Sequence, residues 1–338
     1  MASINILKFG VSSPSDTSPL NQLKAAGFSP HDILAVIGKS EGNGCVNDFS
    51  RTLSSRVWEP QIPRSAVTVF SGGTEGVLSP HVTFVVSDRS TTGLRAAVGR
   101  TRIIEPHEIG TSVQAFEVAS SIQSILKESG VAIDQVRLIL IKCPLLTSEK
   151  VEIIKSSGMP PVTTDTYESM AKSRYSSALG IAIALGELEE DGLHEAMWSQ
   201  PCWSTKASCS SGAELEDCHI LIIASDSSPG GLRAISGYMS DAIDARAITR
   251  LLEQVDRESG HVLQVFAKAE ADPTGKIRGN RHTMNTDSDI HSTRHARAAV
   301  GGLLAGLVGE TRLYVSGGAE DQGPPGGGPL CVVYRVAP

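Results

Sequence analysis

The sequence predicts an α/β fold: three similar α/β units around a pseudo-threefold axis, with one active site at their junction. Three observations predict it. An apolar, strand-like run ending in lysine occurs three times. So does a second apolar run that leads into a serine, small residues and a glutamate. Segments of helical periodicity lie among these runs, as α/β units require. Internal repetition of this kind decides architecture before any single motif does.

The first pattern reads ILAVIGK over residues 33–39, VRLILIK over 136–142 and VLQVFAK over 262–268, placing Lys39, Lys142 and Lys268 at strand ends. The second ends in Ser71-Gly72-Gly73-Thr74-Glu75, Ser210-Ser211-Gly212-Ala213-Glu214 and Ser316-Gly317-Gly318-Ala319-Glu320. Between lysine and serine, Arg174 and Arg297 fall at matching places on helix-like segments when aligned on Gly186-Glu187 and Gly309-Glu310. Arg51 occupies a comparable place in the first round. The lysine-to-serine spacings differ greatly, which argues against a solenoid and for separate units, each with its own core. Val113, Phe116, Ile122, Ile125 and Leu126 lie at near-helical spacing in a segment stopped by Gly130. In 242–257, Ile243, Ala247, Leu251 and Val255 form one stripe, with Gly260 just beyond. Short Ile/Leu/Val runs at 138–141 and 220–223 read as strands. Loops near 90–105 and 226–232 divide the chain into units 1–100, 101–228 and 229–338.

Composition narrows the function classes. The 338 residues are 40% hydrophobic, 20% charged and 4% aromatic, with net charge −7 from 30 basic and 37 acidic residues. No long run of either sign occurs, so a nucleic-acid partner, which asks for a basic patch, is not expected. Cys45, Cys143, Cys202, Cys209, Cys218 and Cys331 form no C-x-x-C pair and read as reduced, packed thiols. The start of the chain lacks the basic and apolar stretches of a signal peptide, and no run approaches the ~20 apolar residues of a membrane span. A cytoplasmic protein acting on a small molecule is expected.

Convergence of three lysines, serines and arginines is a chemical arrangement. A free lysine, with a pKa of about 10.4, is protonated at neutral pH. Burial and neighbouring cations both disfavour its ammonium form. A neutral amine beside a serine can take the hydroxyl proton as the oxygen attacks a carbonyl. Glycine after serine leaves room for backbone N–H groups to approach a developing oxyanion. Arginines offer planar paired donors to the other carbonyls of a flat polar ring. Taken singly, each piece reads as a strand-end lysine or an ordinary turn; recurrence in three rounds points to a site. The glycine-rich loops lack the Walker ending, which removes a phosphate loop. His282, His291 and His295, among Asp287, Asp289, Arg281 and Arg294, leave a catalytic metal open, although their spacing favours a polar loop. Asp165 and Glu168 read as a helix cap.

At these residues the sequence resembles the cyanuric acid hydrolase and barbiturase family. The likeness runs through GKSEGNGCVND (38–48), SGGTEGVLSPH (71–81), KCPLL (142–146), PVTTDTYESM (161–170), MSDAID (239–244), FAKAE (266–270) and residues 316–328. It implies three α/β units about a pseudo-threefold axis and hydrolytic opening of a triazine ring to carboxybiuret, then biuret. It implies Lys142 and Ser210 as the covalent pair, since Ser210, not Ser211, aligns with Ser71 and Ser316. Lys39 with Ser71, Lys268 with Ser316, and the arginines Arg51, Arg174 and Arg297 would bind the substrate, with Gly72, Ser211 and Gly317 beside them. It implies no catalytic cofactor, but a structural Mg²⁺ or Ca²⁺ at Glu270, Ala319, Gln322, Gly323, Pro324 and Gly327. It also implies a homotetramer. The stretches 51–67 and 87–99 are shorter than is common in the family, which bears on subunit contacts. Three other readings stand beside this one: a barbiturase, a non-catalytic triazine or pyrimidine binder, and a metal-dependent cyclic amidase using the histidines.

Overall fold

Each recurrent pair of apolar runs becomes a pair of parallel strands joined by a helical crossover, the connection that parallel neighbours need. The computed structural model describes residues 2–89, 93–190, 193, 202–226, 231–320 and 322–336. The first repeat contains β1 (Ala2–Gly10), α1 (Pro19–Ala25), β2 (Ile33–Ser40), α2 (Phe49–Trp58), β3 (Val67–Gly72) and β4 (His81–Asp88). The second contains β5 (Leu94–Arg100), α3 (Ser112–Ser129), β6 (Val136–Pro144), α4 (Ser148–Ser156), α5 (Thr166–Ala184), β7 (Ala207–Gly212) and β8 (His219–Ser225). The third contains β9 (Leu232–Met239), α6 (Ala245–Arg257) and β10 (Gly260–Ala269). A small hairpin of β11 (Lys276–Ile277) and β12 (Asn280–Arg281) follows, then α7 (Ser292–Val308), β13 (Tyr314–Gly317) and β14 (Gly328–Val336).

Strand order is the same in all three repeats once the hairpin is set aside: β3-β2-β4-β1, β7-β6-β8-β5 and β13-β10-β14-β9. The first two sheets join at their edges through Ala2↔Ala96 and Ser3↔Arg95, making one eight-stranded sheet. By contrast, β5 pairs with β8 along its length, from Leu94↔Ser225 to Arg100↔His219. The second repeat therefore begins at Leu94, ahead of the expected division after residue 100. Pairing decides which repeat owns a strand, and pairing is not written in the run itself. Of the expected loop boundaries, 90–92 and 227–230 lie outside the described residues.

Alternation along the strands splits the apolar residues into outer and shared cores. Ile139, Ile141 and Cys143 of β6 pack outward under α3 and α5, in the second repeat's own core. The first and third repeats have equivalent cores around Trp58 with Phe84 and around Ile248 with Val300. Leu138 and Leu140, the other face of β6, enter a further core with Ile37 and Val69 of the first repeat and Phe266 and Tyr314 of the third. The inner faces of all three sheets thus meet in one dry interior.

Both expected helices form, with altered faces. In α3, capped by Gly130, the buried stripe is Gln114, Ala115, Val118, Ala119, Ile122 and Leu126, whereas Val113 and Phe116 are exposed. Helix α6 starts after the cap Asp244, so Ile243 precedes it and is exposed, while Ala247 and Val255 are buried. Among the described residues no helix is long and apolar enough to cross a membrane. Cys45, Cys143, Cys209, Cys218 and Cys331 are free thiols.

Leu140 is fully buried in the shared interior. Leu140→Ala should cost about 2–5 kcal/mol in urea unfolding; a loss below about 1 kcal/mol would mean that this shared core contributes little.

Candidate active site

Strand register places the recurring lysine and serine side by side in each repeat. Lys39 is opposite Ser71, Lys142 opposite Ser210, and Lys268 opposite Ser316, each on a parallel pair. Each pair has the parity of the inward residues: Ile37 leads to Lys39, Leu140 to Lys142, and Phe266 to Lys268. All six polar side chains therefore point into the shared interior at the C-terminal ends of parallel strands. This is also where open α/β sheets bind ligands.

The three amines make one equivalent contact. Each donates to the carbonyl just after its serine: Lys39 to Gly72 O at 3.2 Å, Lys142 to Ser211 O at 2.8 Å and Lys268 to Gly317 O at 3.0 Å. Beyond that the repeats diverge. Lys39 Nζ reaches Ser71 Oγ at 3.3 Å, Lys268 Nζ reaches Ser316 Oγ at 3.2 Å, and Ser71 Oγ donates to Ser316 Oγ at 3.2 Å. Lys268 is tied further to Cys209 O at 2.6 Å. Lys142 instead lies 3.5 Å from Glu214 Oε1, and the buried Ser210 Oγ has no hydrogen-bond partner among the described residues.

Above the serines is a small cavity, about 20 Å³. It is bordered by Ser71, Ser210 and Ser316, by Gly72, Ser211 and Gly317, and by Arg51, Arg174 and Arg297. Of the three lysines only Lys142 borders it; Lys39 and Lys268 sit behind their serines.

The arginines are held in a closed cycle between repeats. Arg51 of the first repeat pairs with Glu214 of the second at 3.0 Å, and both are 2% exposed. Arg174 of the second pairs with Glu320 of the third at 2.7 Å, and Arg297 of the third with Glu75 of the first at 2.6 Å. Gly318, at φ +74°, lets the Arg174 guanidinium pass its backbone; a Cβ there would lie 2.6 Å from the guanidinium. These glutamates close each repeat motif in the sequence, where they carry no assigned role. Their signal was present, because a glutamate stands four residues after each recurrent serine.

Burial sets the electrostatics. It lowers Lys142 to a pKa of about 7, helped by Arg51 and opposed by Glu214. Lys268 is likewise lowered to about 7 by burial and then Arg174, and Lys39 falls well below its ordinary value through burial and Arg297. Burial works against the Glu214 carboxylate, yet Lys142 and Arg51 together hold it below the usual range.

The other candidate clusters have structural work. Asp165 caps α5 by accepting Tyr167 N and Glu168 N. His291 caps α7 and meets the Tyr167 hydroxyl at 3.0 Å, while His295 pairs with Asp287 at 3.0 Å. Among the described residues, no group of three or more His, Cys, Asp or Glu side chains is arranged to hold a metal ion.

The glycine-rich loop between β13 and β14 folds over Glu270, whose carboxylate accepts Gly326 N at 3.0 Å. Gly327 packs against Met239 O so closely that a Cβ would lie 2.0 Å from it. The Gln322 carboxamide is turned away to Cys209 N at 2.6 Å, so any oxygen it offers in this loop is its backbone carbonyl. Ala319 O and Pro324 O each accept one turn hydrogen bond and keep a second lone pair. One carboxylate among carbonyl oxygens fits a hard cation and not a thiophilic metal.

Fold and site together define a hydrolase acting on a cyclic amide. Residues 5–335 match a family described as amidohydrolase ring-opening protein. A cyanuric acid amidohydrolase from Sarocladium sp is 64% identical over 340 residues, covering 100% of both chains. A solved cyanuric acid hydrolase described as an innovation by structural concatenation has a TM-score of 0.92 at 42% identity, covering 99% of this chain and 100% of that one. One from A. caulinodans has a TM-score of 0.94 at 39% identity, with 100% of both chains covered. The chain belongs to the ring-opening amidohydrolase family.

Lysine titration tests the electrostatics directly. In protein labelled with ¹³Cε-lysine, the Lys142 and Lys268 signals should titrate near 7, against about 10.4 for exposed lysines. Glu214→Gln should move the Lys142 midpoint lower and, by leaving Arg51 buried without its partner, cost about 3–5 kcal/mol in chemical denaturation. An unmoved midpoint would refute the Lys142–Glu214 coupling.

Proposed function

We propose that the protein is a cyanuric acid amidohydrolase in which Lys142 is the base and Ser210 the nucleophile. One observation carries the choice of pair. Among the three serines, only Ser210 has a buried hydroxyl with no partner, and only its lysine borders the cavity. The activity itself is supported by full-length relatives named for it.

In this reading Arg51, Arg174 and Arg297 grip the ring oxygens from three sides, each held still by a glutamate of another repeat. Lys39 with Ser71 and Lys268 with Ser316 polarise the two ring edges that do not react. Gly72, Ser211 and Gly317 bring backbone close to the ring. Neutral Lys142 takes the Ser210 proton as Oγ bonds to a ring carbonyl carbon. The adjacent ring C–N bond breaks, and the departing nitrogen takes that proton from Lys142. Water, giving a proton to Lys142, then attacks the carbamate ester, and Ser210 Oγ departs taking that proton from Lys142. The product, 1-carboxybiuret, loses carbon dioxide to give biuret. Base and nucleophile are both side chains, so the scheme calls on no catalytic cofactor.

Glu270 and the carbonyls of Ala319, Gln322, Gly323, Pro324 and Gly327 would hold a structural Mg²⁺ or Ca²⁺, pinning the loop beside Glu320. A homotetramer and a cytoplasmic location complete the proposal; the free thiols suit a reducing compartment.

Ser210→Ala should lower turnover by at least about a thousandfold while leaving the fold intact by circular dichroism. Near-wild-type activity would remove Ser210 as nucleophile. The same assay run on cyanuric and barbituric acids, with biuret measured as product, should show turnover of the first; preference for barbituric acid would make the protein a barbiturase.

A further inference from the structure

We propose that Tyr314 is a positioning residue that singles out Ser210 among the three equivalent serines by donating its hydroxyl hydrogen to Ser210 Oγ from beneath. The inference rests on the reading of Ser210 as nucleophile. It starts from a break in the threefold pattern. The inward position two residues before each recurrent serine is Val69 in the first repeat, Ser208 in the second and Tyr314 in the third. Their strand partners are the matching residues Ile37, Leu140 and Phe266. Of Val69, Ser208 and Tyr314, only Tyr314 is long, and it is fully buried, with its ring 5.8 Å from that of Phe266.

The phenol ends among the serines. Ser210, Ser71 and Ser316 all lie near enough to the Tyr314 hydroxyl to lower its pKa, as hydroxyls able to donate to a phenolate do, although none reaches full hydrogen-bond geometry. A phenol has one hydrogen to give. Ser71 already receives Lys39 and donates to Ser316, and Ser316 also receives Lys268. Ser210 Oγ and the Tyr314 hydroxyl are the two members of this group with no partner. An unpaired buried hydroxyl is costly, and each supplies what the other lacks. Burial outweighs the serines and pushes the Tyr314 pKa up to about 12, so it stays a donor throughout the working range. Lys142, directed at Ser211 O and Glu214, does not hold the Ser210 rotamer. Closing of the Tyr314 hydroxyl onto Oγ does so, and that hydrogen bond favours charge growing on Oγ during attack and again when Oγ leaves the acyl group.

Tyr314→Phe keeps the packing and removes only the donor. It should lower kcat by about 10–100-fold with KM within about twofold and little change in melting temperature, because the substrate contacts remain. Combining it with Ser210→Ala should give no further loss beyond Ser210→Ala alone. Replacement of Tyr314 by 3-fluorotyrosine, a near-isosteric donor, should restore most of kcat; this arm stands even if the phenylalanine variant folds poorly. Wild-type kcat in Tyr314→Phe, with Ser210→Ala inactive, would overturn this inference alone. A fall in KM affinity with kcat unchanged would also overturn it. An active Ser210→Ala would overturn both it and the reading beneath it.

Discussion

A lysine at the end of a β-strand ordinarily curls its stem along the surface and leaves the ammonium in water. Here three such lysines are buried. Each lies on the inner face of a sheet, and the inner faces of all three sheets meet. Desolvation then favours the uncharged amine by the same physics that keeps leucine inside. The lowered pKa of Lys142 is thus a consequence of strand parity and of three-way packing. No special residue is needed beside it, and Arg51 and Glu214 adjust a shift that burial begins.

The same interior would be unstable if its cations stood alone. The cycle from Arg51 to Glu214, Arg174 to Glu320 and Arg297 to Glu75 neutralises each guanidinium with a carboxylate from a different repeat. Each bond therefore serves two ends: it locks one repeat to the next, and it fixes the planar donors around the cavity. Breaking one partner leaves a buried charge behind, which is why such a cycle specifies the relative seating of the repeats. A threefold ligand meets a threefold frame. The frame nevertheless breaks its symmetry at Ser210, Glu214 and Tyr314.

The repeats, their strands and the lysine–serine–arginine constellation were legible in the chain because recurrence at matching positions survives loops of very different length. Alternation in VRLILIK even implies which face Lys142 shares with Leu138 and Leu140. The glutamates at positions 75, 214 and 320 were equally visible, but their partners lie in other repeats, and sequence distance carries no sign of that. Val113 and Phe116 misled for a related reason. Helical spacing marks a stripe, yet what covers the stripe is decided by neighbouring elements, and α5 sits against the Ala115–Val118 side of α3.

Local features are written in the chain: which segments are strands, which residues end them, and that lysine and serine fall on the same parity. These follow from apolar periodicity and backbone geometry within a few residues. Only the tertiary structure decided which strand belongs to which repeat, which glutamate holds which arginine, and which of three serines is left without a partner. Those outcomes depend on long-range packing in one shared volume, whose lining comes from distant parts of the chain.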